Sequence, residues 1–279
     1  MTQRLAVFGN PVAHSLSPEI HQMFAVQAGI DLTYEKVLVP LGEFHTVADD
    51  FFNGGGTGIN ITVPFKEDAF SFVTSLADGA RDAGAVNTIL RLPNGLLKGE
   101  NTDGAGLVSD LQNNLGWIIA GKSILLLGAG GAVRGVIRDM LNAEPKRIVV
   151  ANRTVSKAQE LAARFKDNRV LASPLIELLG NYDIIISGSS AGLSENAQPL
   201  SLSSTLLGSN TCCYDMIYGK TTPFQNWCSS LPRDQRTDGL GMLVEQAARA
   251  FQLWFDVEVN GEAVLARLRK NMKLLGSES

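Results

Sequence analysis

The stretch SILLLGAGGAVRGVIRDML, from Ser123 to Leu141, decides the fold class of this chain. Its apolar run leads into a glycine-rich turn, and apolar residues then recur at the three- and four-residue spacing of one helix face. This order of strand, glycine turn and helix lets backbone N–H groups and a helix N-terminus meet a pyrophosphate. Val133 stands where the standard fingerprint has glycine or alanine, so the match is imperfect. The predicted dinucleotide contacts in the turn are Gly128, Ala129, Gly130, Gly131 and Ala132.

Polar and basic residues follow the second predicted strand of this unit, namely Asn152, Arg153, Thr154 and Lys157. An NAD-specific site carries an acid at this place for the ribose hydroxyls, and no acid is present here. Arg153 would instead grip the 2′-phosphate of NADP with its planar guanidinium, and Thr154 would cap the following helix. Such a bond contributes about 1.5 to 3 kcal/mol. The alternative is that Arg153 is a solvated surface residue. We therefore predict a βαβ unit from Ser123 to Lys157 that binds NADP(H).

Composition limits the remaining possibilities. A chain of 279 residues with 45% hydrophobic and 19% charged residues is long enough for two globular domains. The net charge of −4 provides no basic field, so neither nucleic acid nor an anionic membrane surface is expected as a partner. No apolar run reaches about 20 residues and no signal-peptide pattern is present, so we expect a cytoplasmic protein.

Cysteine and histidine patterns predict neither a disulfide framework nor a metal site. The three cysteines are an odd number, and Cys212 and Cys213 are neighbours within an apolar run. The three histidines lack the spacing to acids or cysteines that metal ligands show. The chemistry of the chain must therefore come from other residue types.

The first hundred residues alternate strand-like and helix-like patterns, which predicts a small α/β unit. Ser17 is expected to cap a helix over Pro18 to Ala28, and a second helix is expected from Phe65 to Leu76. The later block has buried strand patterns separated by helices, which indicates a parallel sheet. The C-terminal segment from Gly241 to Leu275 reads as helical with one apolar face.

Polar side chains gather around the third predicted strand. Asn60 and Thr62 alternate with apolar residues and so share a face, and Lys66 follows at the start of the next helix. A lysine is disfavoured at a helix N-terminus, which suggests an anionic partner, although a solvated lysine explains the sequence equally well. Asp103 offers such a carboxylate, and the segment Asn101 to Gly104 also reads simply as a turn and cap.

Together these residues resemble the shikimate dehydrogenase family. The resemblance covers nearly the whole chain and rests on seven ordered motifs: His14 to Pro18, Asn60 to Lys66, Ala85 to Thr88, Asn101 to Gly104, Gly128 to Ala132, Asn152 to Thr154 and Asp238 to Met242. It implies a two-domain α/β fold, with an N-terminal α/β substrate domain and a Rossmann NADP-binding domain built on a parallel sheet. The expected domains are residues 1–103 for substrate, 104–238 for NADP, and 239–279 as C-terminal helices returning to the first domain.

The resemblance also implies an activity and its residues. Members of the family reversibly reduce 3-dehydroshikimate to shikimate with NADPH, on the route to chorismate and the aromatic amino acids, in a cleft between the domains. By similarity, Lys66 and Asp103 form the catalytic pair. Substrate would be held by Ser15, Ser17 and Tyr218 at its carboxylate and by Asn60, Thr62, Asn87 and Gln246 at its ring hydroxyls. Further cofactor contacts are expected from Ser189, Met216, Gly239 and Met242.

The roles within the catalytic pair stay open at this level. An unperturbed lysine has a pKa of about 10.4, and a neighbouring aspartate favours the charged form. We favour direct proton donation by Lys66, with Asp103 orienting the lysine and a substrate hydroxyl. The alternative is that Lys66 mainly stabilises charge while another group shuttles the proton. In either case Lys66 and Asp103 are treated as one coupled titration.

Two departures and two rival functions accompany the resemblance. The family often has Asn-Ala-Thr-Ser-Ser-Gly where this chain has Ser187 to Gly192, and the segment from Tyr218 to Phe224 is one residue short. One rival is a quinate/shikimate dehydrogenase with relaxed substrate and cofactor use, which would tend to lose Asn60 and to carry an acid after the second Rossmann strand. The other is a catalytically silent NADP-binding regulator, which would not need Lys66 and Asp103. The sequence leaves a monomer and a homodimer equally open.

Overall fold

The computed structural model describes residues 2–189 and 202–276, with side chains as far as residue 272. The chain forms two compact units, the first comprising Met1–Gly106 and Leu243–Ser279 and the second Leu107–Met242. Each unit contains a sheet and helices, which confirms the predicted two-domain α/β class.

The bounds of the elements follow the chain order. The strands are β1 (Gln3–Gly9), β2 (Leu32–Leu38), β3 (Gly58–Ile61), β4 (Ser75–Leu76), β5 (Thr88–Arg91), β6 (Leu97–Glu100), β7 (Ser123–Leu127), β8 (Arg147–Asn152), β9 (Val170–Pro174), β10 (Ile184–Ser187), β11 (Cys212–Asp215) and β12 (Arg236–Thr237). The helices are α1 (Ser17–Ala28), α2 (Phe44–Asn53), α3 (Lys66–Phe72), α4 (Asp78–Ala83), α5 (Asp103–Ser109), α6 (Gly131–Asn142), α7 (Val155–Phe165), α8 (Pro223–Trp227), α9 (Leu240–Phe255) and α10 (Gly261–Gly276).

The sheet of the first unit is mixed and has the strand order β2-β1-β3-β5-β6-β4. Strand β1 pairs in parallel with both β2 and β3, whereas β5 is antiparallel to β3 and to β6. A turn at Asn94-Gly95 joins β5 to β6 as a hairpin, and Gly95 takes the positive φ of 83° that this turn needs. This topology brings the ends of β3 and β5 together, where the polar residues of the sequence lie.

The sheet of the second unit is parallel and has the order β12-β11-β10-β7-β8-β9. In chain order this is the 3-2-1-4-5-6 arrangement of dinucleotide-binding folds. Alternate residues of β7 enter two different cores: Ile124 and Leu126 pack into one, Leu125 and Leu127 into the other. Burial on both faces explains why this strand is a continuous apolar run instead of an alternating one.

Two predictions for the first unit are wrong in detail. Ser17 is not the cap: Leu16 occupies the cap position and makes no side-chain capping bond, while Ser15 Oγ accepts the backbone N–H of Ser17 at 3.2 Å. The Ser17 hydroxyl is buried in contacts with Ser15 and Tyr34, so tertiary contacts override its local capping preference. Helix α3 ends at Phe72, before the predicted Leu76, because Ser75 and Leu76 pair with β6 as a short strand.

The C-terminal segment is helical, as predicted, and it consists of two helices, since α9 stops at Phe255 and α10 starts at Gly261. Asp256 ends the first of them in a left-handed conformation, with φ 54°. Thr154 occupies the cap position of α7 but makes no side-chain capping bond, so that part of its predicted role is also wrong.

The described residues contain neither a membrane-spanning helix nor a cluster of metal-ligating side chains. No helix there is long and apolar enough to cross a membrane. Nor do those residues bring together three or more histidine, cysteine or acidic side chains that could hold a metal ion.

Candidate active site

Lys66 and Asp103 form an ion pair in the first unit. Lys66 is the first residue of α3 and Asp103 the first of α5, and Lys66 Nζ lies 2.5 Å from Asp103 Oδ2. The lysine side chain is 25% exposed and the aspartate side chain 10% exposed. The cation at a helix N-terminus therefore has the anionic partner that the sequence suggested, and a bound molecule can still reach it.

Asn87 holds the other oxygen of this aspartate. Its Nδ2 lies 2.8 Å from Asp103 Oδ1 and 3.0 Å from Thr102 Oγ1, while its own Oδ1 accepts the backbone N–H of Thr102 at 2.9 Å. The turn is fixed from a second side, because Asn101 Oδ1 accepts the backbone N–H of Asp103 at 3.1 Å. Both oxygens of Asp103 are thus engaged, one by Lys66 and one by Asn87.

Gln246 reaches the same cluster from α9. Its Oε1 lies 3.3 Å from Thr102 Oγ1 and 3.5 Å from Asn87 Nδ2. Gly106 makes this approach possible, since a Cβ there would lie 2.5 Å from the backbone nitrogen of Gln246. A glycine in α5 therefore brings two segments together that are far apart in sequence.

Asn60, on β3, is almost fully buried and has every hydrogen-bonding position occupied. Its Oδ1 lies 2.7 Å from the Tyr34 hydroxyl and 3.1 Å from His21 Nε2. Its Nδ2 donates to Thr88 Oγ1 at 3.0 Å and to the Asn87 carbonyl at 3.3 Å. Asn60 is therefore linked to Asn87, and through it to Asp103 and Lys66.

The two predicted serines join the network at its other end. Ser15 Oγ lies 3.1 Å from Ser17 Oγ, and Ser17 contacts the Tyr34 hydroxyl, which binds Asn60. One chain of hydrogen bonds thus connects the substrate residues predicted in the first unit with the Lys66–Asp103 pair, except for Thr62. Thr62 instead packs at the end of β1, where a Cβ on Gly9 would lie 2.4 Å from its methyl group.

His21 is fully buried, and burial lowers its pKa from 6.5 to about 3, while its bond to Asn60 acts in the opposite direction. Its described contacts are uncharged at neutral pH: Phe24 of α1, Tyr34 of β2, Asn60 of β3, and Phe251 and Trp254 of α9. Nothing among them stabilises an imidazolium, so the ring is neutral in the folded protein.

This burial predicts a pH dependence of stability. The pKa of His21 is lower in the folded state than in the unfolded state, so its contribution is complete above pH 6.5 and is lost as the pH falls toward 3. The loss is at most about 1.4 kcal/mol per pH unit. We expect His21→Leu to remove this slope, so that between pH 7 and pH 5 the free energy of unfolding in urea falls more steeply for wild type than for the variant. His45→Leu, at an exposed histidine, should leave the slope unchanged; parallel curves for wild type and His21→Leu would contradict the prediction.

The glycine turn lies in the second unit, between β7 and α6. Gly128 has φ 112°, a conformation that side chains rarely adopt, and a Cβ on Gly130 or Gly131 would meet nothing within 4 Å. Gly130, Gly131 and Ala132 are exposed at the start of the 12-residue helix α6. The glycine turn therefore has the open backbone and helix N-terminus that fit a dinucleotide pyrophosphate.

Val133 of α6 packs against Gly188, which follows β10. A Cβ on Gly188 would lie 2.6 Å from Val133 Cγ2, so the valine side chain fills the space that a larger residue would need after β10. Val133, which departs from the standard fingerprint, therefore lies against Gly188, which belongs to the altered segment Ser187–Gly192. The first turn of α6 packs closely despite the valine. Ser190, Ala191 and Gly192 of that segment lie outside the described residues.

The remaining predicted cofactor residues fall into two groups within the second unit. After β8, Asn152 is partly buried and donates to the Thr154 carbonyl at 3.0 Å, and three side chains are exposed: Arg153, Thr154 and Lys157. After β10 and β11, Ser189 lies near Gly128, and a Cβ on Gly239 would be 2.2 Å from the Met216 carbonyl. Met242 packs into the core, with its backbone N–H 3.1 Å from the Tyr214 hydroxyl.

Tyr218 belongs to a loop of the second unit that Asp215 organises. Asp215 accepts the hydroxyl of Thr222 and, at 3.1 Å, the backbone N–H of Ile217. Burial raises the pKa of Tyr218, which keeps its hydroxyl protonated and able to donate.

The sequence did not single out four members of the network: His21, Tyr34, Thr88 and Thr102. His21 had a weak signal, because it lies one helical turn after Ser17 and so on the same face of α1. Tyr34 and Thr88 lie on strands and read as ordinary strand residues.

Family models match most of the chain. They are described as the shikimate dehydrogenase substrate binding domain over residues 7–89, shikimate / quinate 5-dehydrogenase over residues 111–195, and the shikimate 5'-dehydrogenase C-terminal domain over residues 239–269. A protein of Cellvibrio japonicus named shikimate dehydrogenase (NADP(+)) is 50% identical over 98% of this chain and 99% of its own length.

Two solved structures are also similar. The Ael1 enzyme from Pseudomonas putida is 37% identical with a TM-score of 0.90, and the match covers 95% of this chain and 98% of that one. The shikimate 5-dehydrogenase of Thermus thermophilus, solved with NADP(H) and shikimate, is 30% identical with a TM-score of 0.84, over 96% of this chain and 99% of that one. The fold, the glycine turn, the polar network and these similarities all agree: the chain belongs to the shikimate dehydrogenase family.

Proposed function

We propose that this protein is an NADP-dependent shikimate dehydrogenase, which reversibly reduces 3-dehydroshikimate to shikimate. The observation that carries the proposal is the 2.5 Å contact between Lys66 Nζ and Asp103 Oδ2, within a hydrogen-bond network that includes Asn87, Asn60 and Ser17. The network combines a proton donor with amide and hydroxyl groups suited to a polyhydroxylated ring. A regulator that only bound NADP would have no use for this combination.

The residues of the first unit perform the acid–base part of the reaction. NADPH, when bound, supplies a hydride to the carbonyl carbon of the substrate. Lys66 holds a proton at Nζ and gives it to the substrate oxygen as negative charge develops there. Asp103 accepts a hydrogen bond from Nζ and so orients the lysine, and Asn87 keeps the carboxylate in place. In the direction of oxidation Lys66 takes the proton back.

The other polar residues bind the substrate. Ser15 and Ser17, with Tyr218, would hold its carboxylate, while Asn60, Thr62, Asn87 and Gln246 would hold its ring hydroxyls. The hydrogen bonds that link most of these side chains in the first unit support the assignment, because they fix amide and hydroxyl groups before substrate arrives.

Assays of the purified protein with shikimate and NADP⁺, following the absorbance of NADPH, test the proposal. We expect turnover with this pair and a much lower kcat/KM with quinate or with NAD⁺. Comparable rates with quinate and NAD⁺ would indicate the relaxed quinate/shikimate enzyme instead. Binding of NADP⁺ without any turnover would indicate the regulator.

Arg153 should decide the preference for NADP. We expect Arg153→Asp to lower the ratio of kcat/KM for NADP⁺ to that for NAD⁺ by about 10- to 150-fold, because a charge-assisted bond to the 2′-phosphate is replaced by repulsion. Lys146→Asp is the matched control, since it makes the same charge change at the opposite end of β8 and should leave the ratio unchanged. An unaltered ratio in Arg153→Asp would remove Arg153 from cofactor recognition.

The proposal extends to partners and compartment. The net charge of −4 supports small-molecule substrates over nucleic acid or membrane surfaces. We place the enzyme in the cytoplasm as a monomer or homodimer, and light scattering of the purified protein distinguishes these two states.

A further inference from the structure

His21 is a buried polar residue without an obvious structural purpose. Its ring is fully buried and stacks on Tyr34, with centroids 4.6 Å apart and an interplanar angle of 9°. Nδ1 is buried and has no hydrogen-bond partner among the described residues. Such a group lowers stability relative to an apolar residue of the same size, so its presence needs a reason.

The hydrogen bonds of Asn60 provide that reason. Its Nδ2 donates to two acceptors, Thr88 Oγ1 and the Asn87 carbonyl, which places Oδ1 on the side of Tyr34 and His21. Since Oδ1 can only accept, His21 must carry its hydrogen on Nε2 and the Tyr34 hydroxyl must donate. If the amide were rotated by half a turn, its NH₂ group would face the N–H of His21.

We propose that His21, together with Tyr34, is a positioning residue that locks the side-chain amide of Asn60, so that Asn60 offers substrate a donor and never an acceptor. This inference rests on the proposed function, which assigns Asn60 to a ring hydroxyl. The longer Nδ2 bond, 3.3 Å to the Asn87 carbonyl, is the weaker of the two, and its N–H is the one that a substrate oxygen would share.

Aromatic side chains hold the imidazole of His21 in place. Phe24, Phe251 and Trp254 pack around the imidazole, with ring centroids 5.3 to 6.2 Å away, and the Trp254 indole is itself bound to the Ile89 carbonyl at 3.0 Å. This packing restricts rotation of the imidazole and keeps its single donor pointed at Asn60. His21 bonds to the side-chain amide of Asn60, and the hydrogen bond described for its ring does not reach Lys66 or Asp103.

Two substitutions of His21 separate positioning from packing. His21→Leu keeps an apolar volume but removes the donor, whereas His21→Gln retains an amide N–H that can occupy the position of Nε2. We expect His21→Leu to raise KM for shikimate about 3- to 10-fold, the size of one hydrogen bond, with kcat changed less than KM. His21→Gln should restore most of the loss, and the exposed control His45→Leu should show none.

A double mutant tests whether the effect passes through Asn60. In an Asn60→Ala background, His21→Leu should no longer raise KM, because the amide it positions is gone. An equal increase of KM in both backgrounds, or a His21→Gln variant as impaired as His21→Leu, would overturn the inference.

Nitrogen NMR of wild-type protein provides a readout that needs neither activity nor a variant. We expect His21 to be the neutral Nε2–H tautomer at neutral pH; an Nδ1–H tautomer or an imidazolium would overturn the inference. If wild-type protein failed to turn over shikimate, the proposed function would fall, while this spectrum would still decide whether His21 donates to Asn60.

Discussion

Replacing Lys66 with alanine is expected to lower kcat for shikimate oxidation by about 100- to 10,000-fold, the range for loss of a general acid–base group. Lys66 Nζ, 2.5 Å from Asp103 Oδ2, is the only group of the proposed pair that can give a proton to a developing alkoxide. KM should change much less, because the network built on Asn87 and Asn60 does not depend on the lysine. Steady-state kinetics with shikimate and NADP⁺ measures both constants.

Lys98→Ala is the matched control for this substitution. Lys98 lies in the same unit and forms an ion pair of the same kind, 2.6 Å from Glu100 Oε1, but it is not placed in the proposed site. Its loss should leave kcat within about twofold, since a partly exposed ion pair contributes about 0 to 1 kcal/mol to stability. A kcat for Lys66→Ala that matched the Lys98→Ala value would remove Lys66 from the mechanism.

Lys66→Arg distinguishes the two roles that the sequence leaves open. Arginine keeps the positive charge but does not release a proton in proteins. If Lys66 donates its proton directly, Lys66→Arg should be nearly as slow as Lys66→Ala. Recovery of most of the wild-type kcat would show that charge stabilisation suffices and that another group moves the proton.

The second unit could be predicted largely from local sequence. A continuous apolar run such as Ile124 to Leu127 is stable only when both faces are covered, and the structure places alternate residues of β7 in two cores. The glycine turn and the helix after it follow from neighbouring residues alone. The contact between Val133 and Gly188 could not be predicted in this way, because it depends on the register of β10 against β7.

The polar network of the first unit was much less predictable from local sequence. Asn87 contacts Gln246, which is 159 residues away along the chain, and only the packing of Gly106 against α9 brings the two together. Ser17 shows the same limit, since its hydroxyl serves Ser15 and Tyr34 instead of capping α1. Motif resemblance suggested most of these residues, whereas His21 and Tyr34 became apparent only from the hydrogen bonds of Asn60.

The aspartate of the pair should be nearly as sensitive as the lysine. Asp103→Asn is expected to lower kcat/KM for shikimate by about 100- to 1,000-fold, because two charge-assisted bonds depend on the carboxylate. Oδ1 accepts from Asn87 at 2.8 Å and Oδ2 accepts from Lys66 at 2.5 Å, so an amide in this place must turn its NH₂ group toward one of two donors. Asn87 cannot rotate to accept it, since its own Oδ1 is held by the Thr102 backbone and the Thr88 hydroxyl.

A double mutant then shows whether Asp103 acts through Lys66. If the aspartate only orients the lysine, Lys66→Ala combined with Asp103→Asn should be no slower than Lys66→Ala alone, because residues that act as a unit are not additive. If the two losses multiply, Asp103 contributes independently, for example by binding a substrate hydroxyl through the oxygen that faces Asn87. Glu100 is the acidic partner of Lys98, as Asp103 is of Lys66. Glu100→Gln is therefore the control and should leave kcat/KM within about twofold. A kcat/KM for Asp103→Asn close to the wild-type value would contradict the proposed catalytic pair. No orientation of an amide at this position can accept hydrogen bonds from both Lys66 and Asn87.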